Sequence, residues 1–205
     1  DIYSNPVVRN TAVYFHTTGG VVQASVFTSE DGQGSADLIS GNPLPFGPWA
    51  APDSGDAYHY VVARTIGQGG TTVTDSTLIL WSGHSLVYNV VPGTFTIANG
   101  SFQDFTFTVA DYLGHSLADG TSITVTATVP PPPDPNSPVN QVQLAFGANG
   151  SVILDDYLGR GYGTTQFSFR LSDGSSIDQA TAVSVSISVT GPNGPAYATI
   201  NGTVR

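Results

Sequence analysis

Four stretches of the chain alternate, residue by residue, between an apolar and a polar side chain. No other feature constrains the fold as strongly. Ile123, Val125, Ala127 and Val129 are interleaved with Ser122, Thr124, Thr126 and Thr128, and Val183, Val185, Ile187 and Val189 with Ser184, Ser186, Ser188 and Thr190. Phe105, Phe107 and Val109 repeat the pattern, as do Phe167, Phe169 and Leu171. A period of two sends successive side chains to opposite faces of an extended strand, so each stretch has one face for a core and one for water. One-sided strands of this kind belong in antiparallel sheets. Turn pairs such as Gly19-Gly20, Asp31-Gly32, Gly69-Gly70, Asn99-Gly100, Asp119-Gly120, Asn149-Gly150 and Asp173-Gly174 separate them. Many short strands punctuated in this way predict an all-β protein built of β-sandwiches.

Composition removes the competing classes. The 205 residues contain no Lys, no Met and a single Glu, Glu30, so the residues that favour helix are scarce. The five basic residues are scattered arginines, and the net charge is −10. Nucleic acid needs clustered cations on one face and is excluded as a partner. No apolar run approaches the roughly 20 residues of a helical membrane span. With no Cys there is no disulfide, no thiolate metal site and no Cys nucleophile.

An internal repeat sets the domain count. Asp1 opens a turn-rich segment that ends at Thr11, where an alternating strand through Val13 and Phe15 begins. Asp111 opens a second such segment that ends at Thr121, before Ile123 and Val125, at an offset of 110 residues. Two tandem sandwiches are expected, over 1–90 and 92–205, joined at Val90-Val91-Pro92-Gly93. Within the second, Phe105-x-Phe107-x-Val109-x-Asp111 echoes Phe167-x-Phe169-x-Leu171-x-Asp173, which reads as two similar strands of one sandwich. Only the second copy has strands, about 94–97 and 102–109, ahead of its Asp. The first domain is therefore expected to lack its first strands. Either a longer array or another chain would supply them. Residues 41–57 read as a Pro- and Gly-rich loop. Residues 130–138 read as a stiff polyproline II connection that crosses between sheets or protrudes.

The repeated segment resembles the bacterial Ig-like domains of the invasin and intimin type. Their D-x-x-G-N-P-V-x-x-G-T-x-V-x-F-x-T pattern is met by Asp1, Asn5, Pro6, Val7, Thr11, Val13, Phe15 and Thr17, with Ser4 and Asn10 in place of the two glycines. Asp111, Gly114, Leu117, Gly120, Thr121, Ile123 and Val125 match less fully. The resemblance implies tandem Ig-like antiparallel β-sandwiches in an extracellular or cell-surface protein, a segment or subunit of an adhesin or filament. Its partners would be copies of itself, neighbouring Ig-like domains, or a glycan or surface receptor. Such modules require no cofactor.

No constellation of residues specifies catalysis, and the protein is read as a non-enzyme. Gly83-His84-Ser85 and Gly114-His115-Ser116 lack the closing Gly of a nucleophile elbow. His16, His59, His84 and His115 are not spaced as zinc ligands. Asp155 and Asp156 are adjacent carboxylates that would take Ca²⁺, with an Asx-turn as the plain alternative. Trp49, Tyr58, Tyr60 and Trp81, flanking the loop at 41–57, would stack on sugar rings in a carbohydrate-binding module or else cover the domain's own core.

Overall fold

The computed structural model describes residues 6–40, 57–132, 134, 138, 140–175, 177 and 179–205. The chain divides into two compact units, Asp1–Trp81 and Ser82–Arg205. Strands account for the regular structure of both. Among the described residues the one helical element is a single 3₁₀ turn, Gln68–Gly70.

Unit 1 carries β1 (Ala12–Thr17), β2 (Val21–Val22), β3 (Ser25–Phe27), β4 (Leu38–Ile39), β5 (Tyr58–Ile66) and β6 (Thr72–Leu80). They form a four-stranded sheet in the order β3-β1-β5-β6 and a two-stranded ribbon of β2 and β4. Every pairing is antiparallel. The register Val13↔Thr65, Phe15↔Ala63 and Thr17↔Val61 places these residues on one face of the larger sheet.

Unit 2 carries β7 (Leu86–Val91), β8 (Thr94–Ile97), β9 (Phe102–Ala110), β10 (Ser122–Thr128), β11 (Val142–Ala145), β12 (Ser151–Ile153), β13 (Gln166–Asp173), β14 (Thr181–Thr190) and β15 (Ala196–Val204). One sheet runs β12-β10-β14-β15-β8 and the other β11-β13-β9-β7. All neighbours are antiparallel except β8, which lies parallel to the end of β15. This is an Ig-like sandwich. Its core is filled by the alternating apolar residues of the sequence: Ile123 and Val125 from β10, Val183 to Val189 from β14, Phe105 to Val109 from β9, and Phe167 to Leu171 from β13. Phe105 stacks on Phe169 with ring centroids 4.6 Å apart, and Phe95 of β8 meets Phe105 edge-on at 5.3 Å. Each of these rings removes on the order of 150 Å² or more from water.

The echo within the second copy is resolved by the register Phe167↔Phe107 and Phe169↔Phe105: the two similar strands are antiparallel neighbours in one sheet. The Pro-rich segment at 130–138 lies in the sequence between β10 and β11, which belong to different sheets; residues 133 and 135–137 of it lie outside the described residues, and with them the expected polyproline II connection. The division of the chain differs from the expected junction at Val90–Gly93. Leu86–Val91 pairs with Phe102–Ala110 and is the edge strand of a unit 2 sheet, so unit 2 begins at Ser82. The sequence hid this because β7 carries a register shift between Tyr88 and Val91, which breaks its alternation.

Candidate functional site

Unit 1 repeats part of unit 2, strand for strand. The order β3-β1-β5-β6 follows β12-β10-β14-β15. Val13↔Thr65 and Thr65↔Val73 answer to Ile123↔Val189 and Val189↔Ala196. On this register Trp81, whose N–H donates to the Ala57 carbonyl at 2.9 Å, corresponds to Val204. In unit 2 the last residues of β15, Asn201–Val204, receive β8 along their outer edge. In unit 1 the corresponding residues, Leu78–Trp81, end the sheet, with no strand beyond them among the described residues.

The consequence is visible in burial. Among the described residues, twenty apolar residues of unit 2 are buried, against Ala57 alone in unit 1. Ile200 of β15 is 5% exposed, whereas its counterpart Thr77 is exposed, and Val73 on the same face of β6 is 55% exposed. The core-facing side of the sheet also holds two polar nitrogens without a partner among the described residues, Nε2 of His59 and Nε1 of Trp81. Buried polar groups are ordinarily satisfied, and these two nitrogens are exceptions among the described residues. An open backbone edge and an under-covered apolar face are together what a strand-accepting site offers.

The aromatic residues singled out in the sequence do not form one platform. Tyr58 and Tyr60 alternate along β5, across from Leu80 and Leu78, and share the face that points away from Val13 and Phe15. Trp81 lies on the opposite, core-facing side, against Gly20, where a Cβ would come within 3.2 Å of its ring. Trp49 lies outside the described residues. Asp155 and Asp156 are both exposed, and Oδ1 of Asp155 accepts the Asp156 N–H at 2.9 Å, one residue short of the bond that closes an Asx-turn. Among the described residues no three of His, Cys, Asp and Glu converge to hold a metal.

Sequence reasoning missed a polar lock at the start of unit 2. Oδ1 of Asp111 accepts the N–H groups of Leu113 and His115, at 2.9 and 2.8 Å. Its Oδ2 accepts the Gly83 N–H at 3.0 Å and lies 3.1 Å from Nδ1 of His115. Asn193 holds the same stretch from the other side, donating to the carbonyls of Ser82 and Gly83 and accepting the Ala118 N–H through Oδ1. The repeated Asp is thus a turn-builder that also ties down Ser82–Gly83. Its recurrence signalled it, but the partner at Gly83 is 28 residues away and could not be read from spacing.

Two surface carboxylates are shifted. The Arg170 guanidinium bonds both oxygens of Asp104, at 2.7 and 2.9 Å, and holds that carboxyl below its ordinary range while raising its own value. Asp173 is also lowered, chiefly by the N–H of Gly100 at 2.8 Å and then by Ser175.

No protein-family model and no curated protein matches the sequence. Solved structures do. The chain is similar to the S-layer protein rSbsC(31-844), at 13% identity over 94% of this chain and 20% of that one, with a TM-score of 0.36. It is similar to the D0-D1 domain of intimin, at 14% identity over 96% and 83%, TM-score 0.33. It is similar to the Yersinia pseudotuberculosis adhesin InvE, at 18% identity over 100% and 51%, TM-score 0.37. Intimin, whose type the sequence resembles, is therefore among the structural neighbours. The chain spans about a fifth of the S-layer protein and half of the adhesin.

Proposed function

We propose that the protein is a non-catalytic structural element of an exported, cell-surface adhesin or filament, and that its first unit is completed by a strand from another copy of the chain or from a neighbouring Ig-like domain. The observation that carries this reading is the outer edge of β6. The corresponding edge in unit 2 is covered by a parallel strand, and in unit 1 the end of the sheet has none among the described residues. A strand laid along Leu78–Trp81 would gain backbone hydrogen bonds and place alternate side chains over the core-facing side. Asp75, on that same side farther up β6, is an inward-pointing charge of the kind that blunts an edge, and it confines acceptance to the end of the strand. The stalk role needs no cofactor. If calcium stiffens unit 2, Asp155 and Asp156 are where it would bind, and a melting temperature lowered by chelator would reveal it.

Light scattering over a range of concentrations, with electron microscopy of the concentrated sample, tests assembly. Association that grows with concentration, and that Thr77→Lys suppresses while leaving the melting of unit 2 unchanged, is the expected result. A chain that stays monomeric at every concentration, or whose association ignores Thr77→Lys, refutes completion by another copy.

A further inference from the structure

The outer face of the β11-β13-β9-β7 sheet bears a groove of about 320 Å³. Thr106 and Thr108 of β9 and Gln166 of β13 form its floor, and the register Gln166↔Thr108 and Ser168↔Thr106 sets these polar groups side by side. Asn89 and Val91 of β7 form one rim and Tyr162 the other.

Both rims are built by the backbone. On the β7 side the register shift between Tyr88 and Val91 inserts residues, and Asn89 takes a left-handed φ of 52°. On the other side the Gly161 carbonyl accepts the N–H groups of Thr164, Thr165 and Gln166, at 3.2, 2.9 and 2.8 Å, while the Gly161 N–H donates to Oγ1 of Thr165 at 3.0 Å. The loop so closed holds Tyr162, whose hydroxyl is hydrogen-bonded to that of Ser168. The Tyr162 side of the groove is nonetheless open to water, the residue being 76% exposed. A ring fixed in position yet left in water contributes little to folding, and its apolar face is available to a ligand.

We propose that this groove binds a neutral oligosaccharide, with a pyranose ring stacked on Tyr162 and its hydroxyls bonded to Thr106, Thr108, Gln166 and Asn89. A sugar offers an apolar C–H face to an aromatic ring, and its hydroxyls both donate and accept, as do the hydroxyls and amides of floor and rim. No charged side chain lines the groove. The nearest charges along the same strands, Asp104 and Arg170, satisfy each other. An anionic ligand meets no cation among the lining residues, on a chain of net charge −10. An apolar peptide meets a polar floor. The groove lies open along the sheet face, so an internal stretch of a glycan fits without a free end. The site is distinct from Tyr58, Tyr60 and Trp81 in unit 1, and it stands or falls apart from the strand-accepting edge.

Calorimetric titration of the 205-residue chain with cellohexaose, mannohexaose and chitohexaose tests the proposal. Saturable binding of at least one is expected. Tyr162→Ala should weaken it about tenfold or more, the scale of one lost aromatic contact. Tyr162→Phe should retain the stack, Gln166→Ala should weaken binding, and Tyr60→Ala should leave it unchanged, all with the melting temperature of the parent chain. No saturable heat with any of the three sugars overturns the proposal, as does binding that survives both Tyr162→Ala and Gln166→Ala.

Discussion

Asp111 and Asp173 end two neighbouring antiparallel strands, at opposite ends of the same sheet, and each ties its strand to a distant backbone amide. Asp111 accepts the Gly83 N–H and Asp173 the Gly100 N–H, while each also accepts an amide two residues along its own turn, Leu113 and Ser175. The recurring F-x-F-x-[V/L]-x-D pattern therefore encodes a complete device: aromatic residues for the core, then a carboxylate that closes the turn and pins a second segment. Asp111 is fully buried and Asp173 is not, so the two differ in how much depends on them.

Asp111→Ala should be severe. It strips the acceptor from three backbone amides and from His115, in a place water does not reach. A loss of about 3 kcal/mol or more in the stability of unit 2 is expected, since each buried donor left unmet costs about 1–3 kcal/mol. Urea denaturation followed by near-ultraviolet circular dichroism measures it. Asp111→Asn keeps one acceptor but sets an amide N–H₂ against the Gly83 N–H, and should recover only part of the loss.

Acid should weaken unit 2 through Asp104 and Asp173. Both carboxyls are held below their ordinary value in the folded chain, Asp104 first by its hydrogen bonds to Arg170 and Asp173 first by the Gly100 N–H. Their contribution is fully present above the unfolded value of about 3.9 and is lost as pH falls through the folded values beneath it. Melting temperature should be flat with respect to these groups from pH 8 to about 5 and should decline below about pH 4. Asp173→Asn should flatten part of that decline. An unchanged acid profile in this variant would remove Asp173 from the account.

The fold was legible where alternation was strict. β9, β10, β13 and β14 all fall on the stretches whose apolar residues recur at every second position, because a sheet with one wet face imposes that pattern. β7 was not legible, since its bulge spoils the period. The candidate sites were legible only in part. The acceptor edge at Leu78–Trp81 was not legible, since it emerges only from the register against unit 2. Tyr162 carries no signal in the sequence, because its neighbours in the groove come from three strands, with Asn89 and Gln166 77 positions apart.

Gly202 should resist substitution although it lies in a strand. It pairs with Phe95 where β8 runs parallel to β15, and a Cβ there would sit 2.5 Å from Cγ and Cδ2 of the Phe95 ring and closer still to its carbonyl oxygen. Gly202→Ala must push β8 outward and unseat Phe95 from Phe105. A cost of about 1–3 kcal/mol is expected, the usual penalty of overpacking. Thermal melts of the variant, together with faster amide exchange in Thr94–Ile97, report it; a variant as stable as the parent would mean that β8 shifts freely.

The two units should differ in how firmly they hold their amides. Protection against hydrogen exchange follows the free energy of local opening, which is lowest where few apolar contacts are buried. β9, β13 and β14 are anchored by Phe105, Phe107, Phe167, Phe169 and four residues from Val183 to Val189, all buried. β1 and β5 of unit 1 have no apolar side chain buried to that degree. In dilute solution, amides of β1 and β5 should exchange at least about tenfold faster than those of β9 and β14, equivalent to about 1.4 kcal/mol, less than the burial of one large apolar side chain. Raising the concentration should slow exchange in β6 and β5 if a second copy completes the sheet, and should leave β9 and β14 unaffected. Equal protection of the two units in dilute solution would mean that unit 1 already has a closed core, and the open edge of β6 would then be an ordinary sheet edge.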